Sequence, residues 1–174
     1  MTKKNTTLAI PIRYLPRNIS KKDKKLQLNM LLKSRKLYKR EKYYTRKQLP
    51  SYHSKTSKHI LKARKMYNVN TIVPSKELSR ATGCSIQALN KIVEKGRGAY
   101  YSSGSRPNQT GESWGLARLA SSITGGKASA IDFNILEKGC NHSKKAFKLA
   151  KASRKKYKYG HSKTKHVYLK VNDT

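Results

Sequence analysis

A chain of 174 residues with 41 Lys/Arg against 8 Asp/Glu carries a formal net charge of +33. Self-repulsion makes that charge costly for an isolated compact protein, so it calls for a polyanion, an acidic protein surface or an anionic membrane as counterpart. No run approaches the roughly 18 apolar residues of a membrane span, Leu8-Ala9-Ile10-Pro11-Ile12 is too short and Pro-broken for a signal peptide, and two widely separated cysteines, Cys84 and Cys140, suggest no disulfide framework and point to a reducing compartment.

Taken in order, residues 5–19, with Pro11 and Pro16 set among Ile, Leu and Tyr, read as an extended arm. Such an arm either clamps a neighbouring molecule or packs as a strand on its own domain. Ser20-Lys21-Lys22-Asp23 is an N-terminal capping pattern. It starts a helix to about Arg40 that places Leu26, Met30 and Leu37 near one side. Residues 41–56 read as irregular. A second basic helix spans Ser57 to Tyr67 and buries Ile60, Leu61 and the aliphatic stem of Arg64. The best-punctuated stretch follows. Ser75 caps a short helix that Gly83 ends, and Ser85 caps another that Gly96 ends. This spacing fits a helix-turn-helix, with Leu78 in the first helix's core, small Ser79 at the crossing, and Cys84, Leu89 and Ile92 inward. Gln87, Asn90 and Lys91 then face outward and suit base edges, although helical hairpins of this length commonly bind nothing.

From Gly96 to Cys140 the chain turns rich in glycine and hydroxyls. It holds the single Trp114, and its only cations are Arg97, Arg106, Arg118, Lys127 and Lys138. Gly96, Gly98 and Gly104 allow φ > 0 turns or close backbone approach, and Arg106-Pro107-Asn108 starts a turn. A helix follows, with Thr110 as candidate N-cap and Glu112 in its first turn, until Gly125-Gly126 stops it. Another helix covers Ala128 to Lys138, with Ile131, Ile135 and Leu136 inward. Ser143 then starts a basic amphipathic helix to about Tyr157, with Ala146, Leu149, Ala150 and Ser153 on a narrow face. His166 to Val171 alternates enough for one short strand. The fold class is therefore mainly α. An extended arm (1–19) and a basic helical segment (20–67) precede a compact helical core carrying the Gly/Ser/Arg loop (68–140). A basic helix and tail (141–174) close the chain.

Sought chemistry is mostly missing. Gly96-Arg97-Gly98 begins like a dinucleotide loop, but Tyr101 holds the third glycine's place. Gly125-Gly126-Lys127 begins the end of a phosphate loop, but Ala128 stands where the magnesium-binding hydroxyl belongs. Cys140-Asn141-His142 offers two metal ligands without an evident second pair. Glu77, Glu94, Glu112, Asp132 and Glu137 are more simply ion-pair partners than paired catalytic carboxylates. The reading is non-enzymatic, with no catalytic residue, metal or cofactor assigned.

What remains is charge and aromatic surface. Residues 1–67 carry 21 Lys/Arg against Asp23 and Glu41, and residues 141–174 carry 11 against Asp173, while 68–140 carry nine against five acids. Lys21, Lys22, Lys24, Lys25, Lys144, Lys145, Lys155 and Lys156 are candidate polyanion contacts. Tyrosines 14, 38, 43, 44, 52, 67, 157, 159 and 168 interleave the flanks and can stack on bases or pack against protein. In the central loop, Arg97, Tyr100, Tyr101, Ser103, Arg106, Asn108 and Arg118 compose a candidate docking surface, because guanidinium groups bond in fixed directions where lysine supplies point charge. The alternative is that the loop packs on its own following helix and Trp114 fills the core.

Gly98-Ala-Tyr-Tyr-Ser-Ser-Gly-Ser-Arg-Pro-Asn-Gln-Thr110, Ser113-Trp114, Ala117-Arg-Leu-Ala120 and Gly126-Lys-Ala128 resemble an uncharacterised family of small basic proteins of nucleocytoplasmic large DNA viruses. The likeness extends back through Lys39-Arg-Glu-Lys-Tyr-Tyr-Thr-Arg46 and Ser57-Lys-His-Ile60. It implies a viral protein made in the host cytoplasm or viral factory and carried in the virion. It implies no active site. Two readings follow. The first is a minor-capsid-type structural component bridging capsid subunits, its basic surfaces toward acidic virion proteins or packaged DNA. The second is a nonspecific DNA- or RNA-binding, genome-condensing protein that uses the helix-turn-helix at 75–96. Contact with an anionic membrane surface stays open in either.

Overall fold

The computed structural model describes residues 7–158 and 164–170. Residues 5 and 6 of the arm, Tyr159 and Val171 lie outside them. Among the described residues are eight helices and one two-stranded sheet, so the chain is mainly α, and it divides into two compact units.

Among the described residues, the first unit joins 7–54 to Tyr101–Thr110 and to 164–170. Strand β1 (Thr7–Pro11) pairs antiparallel with β2 (His166–Lys170), Ile10 opposite Val167. The arm thus takes the second of its two expected forms, a strand on its own chain. Helix α1 (Lys21–Tyr38) starts as expected, the hydroxyl of Ser20 accepting from the Asp23 N–H. Its inward stripe differs from the expected one. Asp23, Gln27, Leu28, Met30, Leu31 and Ser34 are buried, while Leu26 is 38% exposed. The reason is that this helix faces a polar loop. Three of its buried side chains are polar and find partners in this unit: Gln27 donates to the Tyr14 carbonyl (3.1 Å), Ser34 donates to the Tyr101 carbonyl (3.1 Å), and Asp23 accepts from Ser51. Residues 101–110, expected inside the 68–140 core, belong to this unit, where Ser34, Arg35, Arg46 and the backbone of Leu49 bond to them.

Among the described residues, the second unit comprises 55–100 and 111–158. It contains α2 (Lys58–Tyr67), α3 (Lys76–Thr82), most of α4 (Ile86–Ser102), α5 (Gly111–Ile123), α6 (Lys127–Ile131), α7 (Phe133–Gly139) and α8 (Lys145–Tyr157). Leu78, Leu89, Ile92, Leu119, Ile123 and Leu136 are fully buried at its centre. Near the C-terminus of α5, Tyr67 and Lys62 of α2 donate to the carbonyls of Ile123 and Thr124, which satisfies acceptors the helix end leaves open. Burial of the Tyr67 phenol raises its pKa. In α2 the buried residue is Ala63, and Leu61 is 50% exposed rather than inward.

Three further expectations are corrected in this unit. Gly96 does not end α4, which continues through Gly98 to Ser102. Gly96 instead sits where α4 meets α5: a Cβ there would lie 2.5 Å from the Gly115 Cα. Absence of a side chain is used for close approach, not for a turn. Second, the helix expected over 128–138 is broken at Asp132, which ends α6 and precedes α7. Its side chain is drawn inward by Arg118 and Ser122, and Ile131 turns out to 47% exposure. Third, Cys84 and Cys140 are joined as a disulfide. The N–H of Ser85 donates to Gly139 and that of Asn141 to Gly83, each at 2.7 Å. This makes Cys84 and Cys140 a facing pair between two bonded neighbours, the position where side chains approach most closely. The argument for a reducing compartment, which rested on unlinked cysteines, goes with that expectation.

Candidate nucleic-acid interface

The loop of the first unit is held chiefly from within. Arg35 aims its Nε (3.0 Å) and Nη2 (2.7 Å) at the Ser103 carbonyl, and burial lowers its pKa. Arg46, itself buried, donates to the hydroxyls of Ser34 (3.1 Å) and Ser105 (2.7 Å). Asn108 sits at φ 58° and closes a small ring with residues 49–52: its Oδ1 accepts from the Leu49 N–H at 2.6 Å, and its Nδ2 donates to the carbonyls of Leu49 and Tyr52. Gly104, at φ 123°, lies where a Cβ would meet Leu31 at 2.7 Å.

The expected docking residues consequently separate. Tyr100 is fully buried. Arg97 forks onto Glu112 and Arg118 onto Asp132, so two of the three arginines are spoken for inside the second unit. Asp132, whose side chain is wholly buried, also accepts from Ser122 (2.9 Å) and pairs with Lys95 (3.2 Å). Such a charge is tolerable only when surrounded by donors. Asn108 is architecture. The exposed members are Arg97, which keeps its Glu112 partner, Ser103 and Arg106, and Tyr101 meets Tyr43 edge-on at 5.2 Å, with Tyr38 beyond. Tyr43 is 70% exposed, a ring held in place yet open to solvent.

The lysines expected to meet a polyanion are outward. Lys21, Lys22 and Lys25 are exposed on α1 and Lys24 is half-buried; Lys144, Lys145, Lys155 and Lys156 are exposed around α8. Sequence reasoning did not find the shallow, open depression beside α8, lined by Phe133, Lys151, Arg154, Lys155 and Lys158. The Arg154 guanidinium lies 4.4 Å from the Phe133 ring centroid, and Lys127 and Lys156 approach the Tyr157 ring. The i, i+3, i+4 spacing of Lys151, Arg154 and Lys155 signals one helix face, but no pattern in the sequence joins it to Phe133. Cations beside aromatic faces provide both phosphate contacts and a stacking surface.

In the second unit the residues proposed to face DNA, Gln87, Asn90 and Lys91, are all exposed on α4. Cys140 and His142 offer no metal site: the first is in the disulfide, and the second stacks on Phe147 at 3.9 Å while its Nε2–H donates to the Glu137 carbonyl. Among the described residues no group of three His, Cys, Asp or Glu side chains is placed to hold a metal, and no helix is long and apolar enough to cross a membrane. No curated protein and no solved structure matches the chain. Residues 11–139, which take in the clasped loop, the helix pair α3–α4 and the buried Asp132, do match a family model, and the chain belongs to that family, DUF5824, a family of unknown function.

Proposed function

We propose that this protein is a non-enzymatic structural component that binds and neutralises nucleic acid through its phosphate backbone. A single observation carries the reading. With 41 Lys/Arg and 8 Asp/Glu, pairing every acid would still leave 33 cations without an acidic partner, and the acids Glu112 and Asp132 are already spent on Arg97, Arg118 and Lys95. The surplus is mostly lysine, which suits a uniform line of phosphates better than a directed contact. Exposed Tyr43 and the Phe133–Arg154 depression supply aromatic faces among those cations.

A second reading, a minor-capsid-type virion component made in the host cytoplasm or viral factory, draws on the likeness to small basic proteins of large DNA viruses. It assigns exposed Arg106 and Ser103 to a groove on another virion protein. The two are compatible, because a shell protein can touch the packaged genome. The favoured reading is tested by fluorescence anisotropy with a labelled mixed-sequence duplex. If about ten phosphates are engaged, affinity falls by about 10⁵ between 50 and 200 mM salt. Replacing Lys151, Lys155 and Lys156 by Ala lowers the slope by about one per lost contact. A flat salt dependence sinks the reading.

A further inference from the structure

We propose that α3 and α4 form a helix-turn-helix whose second helix reads the major groove of duplex DNA. Gln87 and Asn90 would address adenines on neighbouring base pairs. The inference rests on the nucleic-acid reading above and adds sequence selection to it.

The geometry of the pair is specific. Helix α3 starts at Ser75, whose hydroxyl caps the Leu78 N–H, and ends at Gly83 in a left-handed conformation at φ 74°. Only Gly83, Cys84 and Ser85 separate it from α4, and Ser85 caps the Ala88 N–H. A three-residue turn containing glycine fits this motif. Ser79 is small and donates across the turn to the Cys84 carbonyl at 2.6 Å. The inward positions are Leu78, Thr82, Cys84, Leu89 and Ile92, each no more than 1% exposed. Here Gln87, Asn90 and Lys91 are exposed, and no side-chain hydrogen bond engages them among the described residues.

The turn is also fixed from outside. The disulfide and the two main-chain bonds to Gly139 and Asn141 bind it to the segment before α8. That segment places the Lys144 stem against Gly83, where a Cβ would strike its Cγ at 2.5 Å, and sets Gly139 against Ala88. Exposed Lys144, its stem against Gly83, therefore lies beside the turn into α4, where a phosphate bordering a major groove would lie. Charge complementarity calls for phosphates, and a recognition helix needs a groove wide enough to admit it, which B-form DNA has and A-form RNA lacks.

Spacing sets the ligand more closely. Gln87 and Asn90 are three residues apart, about 4.5 Å along the axis, which is comparable to the spacing of base pairs, about 3.4 Å. Both amides match adenine's N6 and N7 bidentately, and Lys91 reaches a guanine or a phosphate. Glu94, exposed one turn beyond Asn90, repels phosphates and limits the contact to the first two turns of α4.

The test is selection by full-length protein from a randomised duplex pool at about 0.15 M salt. An enriched motif containing adjacent adenines is expected. On that site, Gln87→Ala with Asn90→Ala binds about tenfold or more weakly, while the melting temperature and binding to a scrambled duplex are unchanged. Lys155→Ala with Lys156→Ala instead weakens both duplexes alike. Asn90→Asp, which keeps the shape and removes the donor, serves if the double variant misfolds, and it should lose the same preference. Steeply salt-dependent binding without an enriched motif overturns this inference and leaves the proposed function standing. Absence of binding to any duplex overturns both. Full affinity of the double variant for the enriched site removes Gln87 and Asn90 from the reading role.

Discussion

Replacing Gly96 by Ala sets two effects of opposite sign against each other. Position 96 lies inside α4, where alanine is favoured over glycine by about 1 kcal/mol of helix propensity. Propensity alone therefore predicts stabilisation. The tertiary structure opposes it, because the new Cβ would stand 2.5 Å from the Gly115 Cα and 3.3 Å from the Arg118 Cβ. Carbon atoms need about 3.5 Å, and the obstacle is backbone that cannot rotate away, so the two helices must part by about 1 Å. Overpacking of this kind costs about 1–3 kcal/mol. A rigid backbone obstacle places the cost in the upper part of that range, and the net loss is about 1–2 kcal/mol. For a chain of this size that lowers Tm by about 2–8 °C. Gly115→Ala, whose Cβ would meet the Val93 carbonyl oxygen at 2.7 Å and its Cγ1 at 2.9 Å, should fall in the same direction. Thermal melts followed by far-UV circular dichroism measure both. A Gly96→Ala protein that melts higher than the parent would refute the close crossing of α4 and α5.

Two further outcomes follow from the same structure. Asp23 accepts from the Ser51 hydroxyl at 2.5 Å and from its N–H at 2.9 Å, and these bonds lower its pKa; a depressed folded pKa gives stability that is present above the unfolded value, about 3.9, and is lost as pH falls through the folded one. Melts between pH 6 and pH 2 should converge for the parent and Asp23→Asn at the acid end, and parallel profiles would show that the carboxylate contributes nothing. The disulfide spans 56 positions, so loop-closure entropy makes it worth up to about 4 kcal/mol. Reduction, or Cys84→Ala with Cys140→Ala, should lower Tm by about 5–15 °C, and a melt indifferent to reductant would refute the link.

The helix ends near Ser20, Ser75, Gly83 and Ser85 were legible because a cap is a local event, a hydroxyl reaching an N–H three residues on, or a left-handed residue that a Cβ disfavours. Charge, the mainly helical class and the inward positions of α3 and α4 were legible for similar reasons, since composition and 3.6-residue spacing need no distant partner. The loop was not. Arg46 lies in a basic run that reads as one more polyanion contact, and only the fold brings it to Ser105, 59 positions away, and buries it there. Glycine is ambiguous in the same way: Gly83 and Gly96 look alike in sequence, but one takes a left-handed turn while the other stays helical because a neighbouring backbone needs its space. Asp132 breaks a continuous helical pattern for the sake of Arg118, Ser122 and Lys95, and the two cysteines meet only because strands of chain from either side of the core pair beside them. The sequence by itself determined where the chain bends into helices and how much positive charge it must place against something else. Which of those charges are held inside, and which are left facing outward, was decided by contacts between residues tens of positions apart, whose energies no local pattern records.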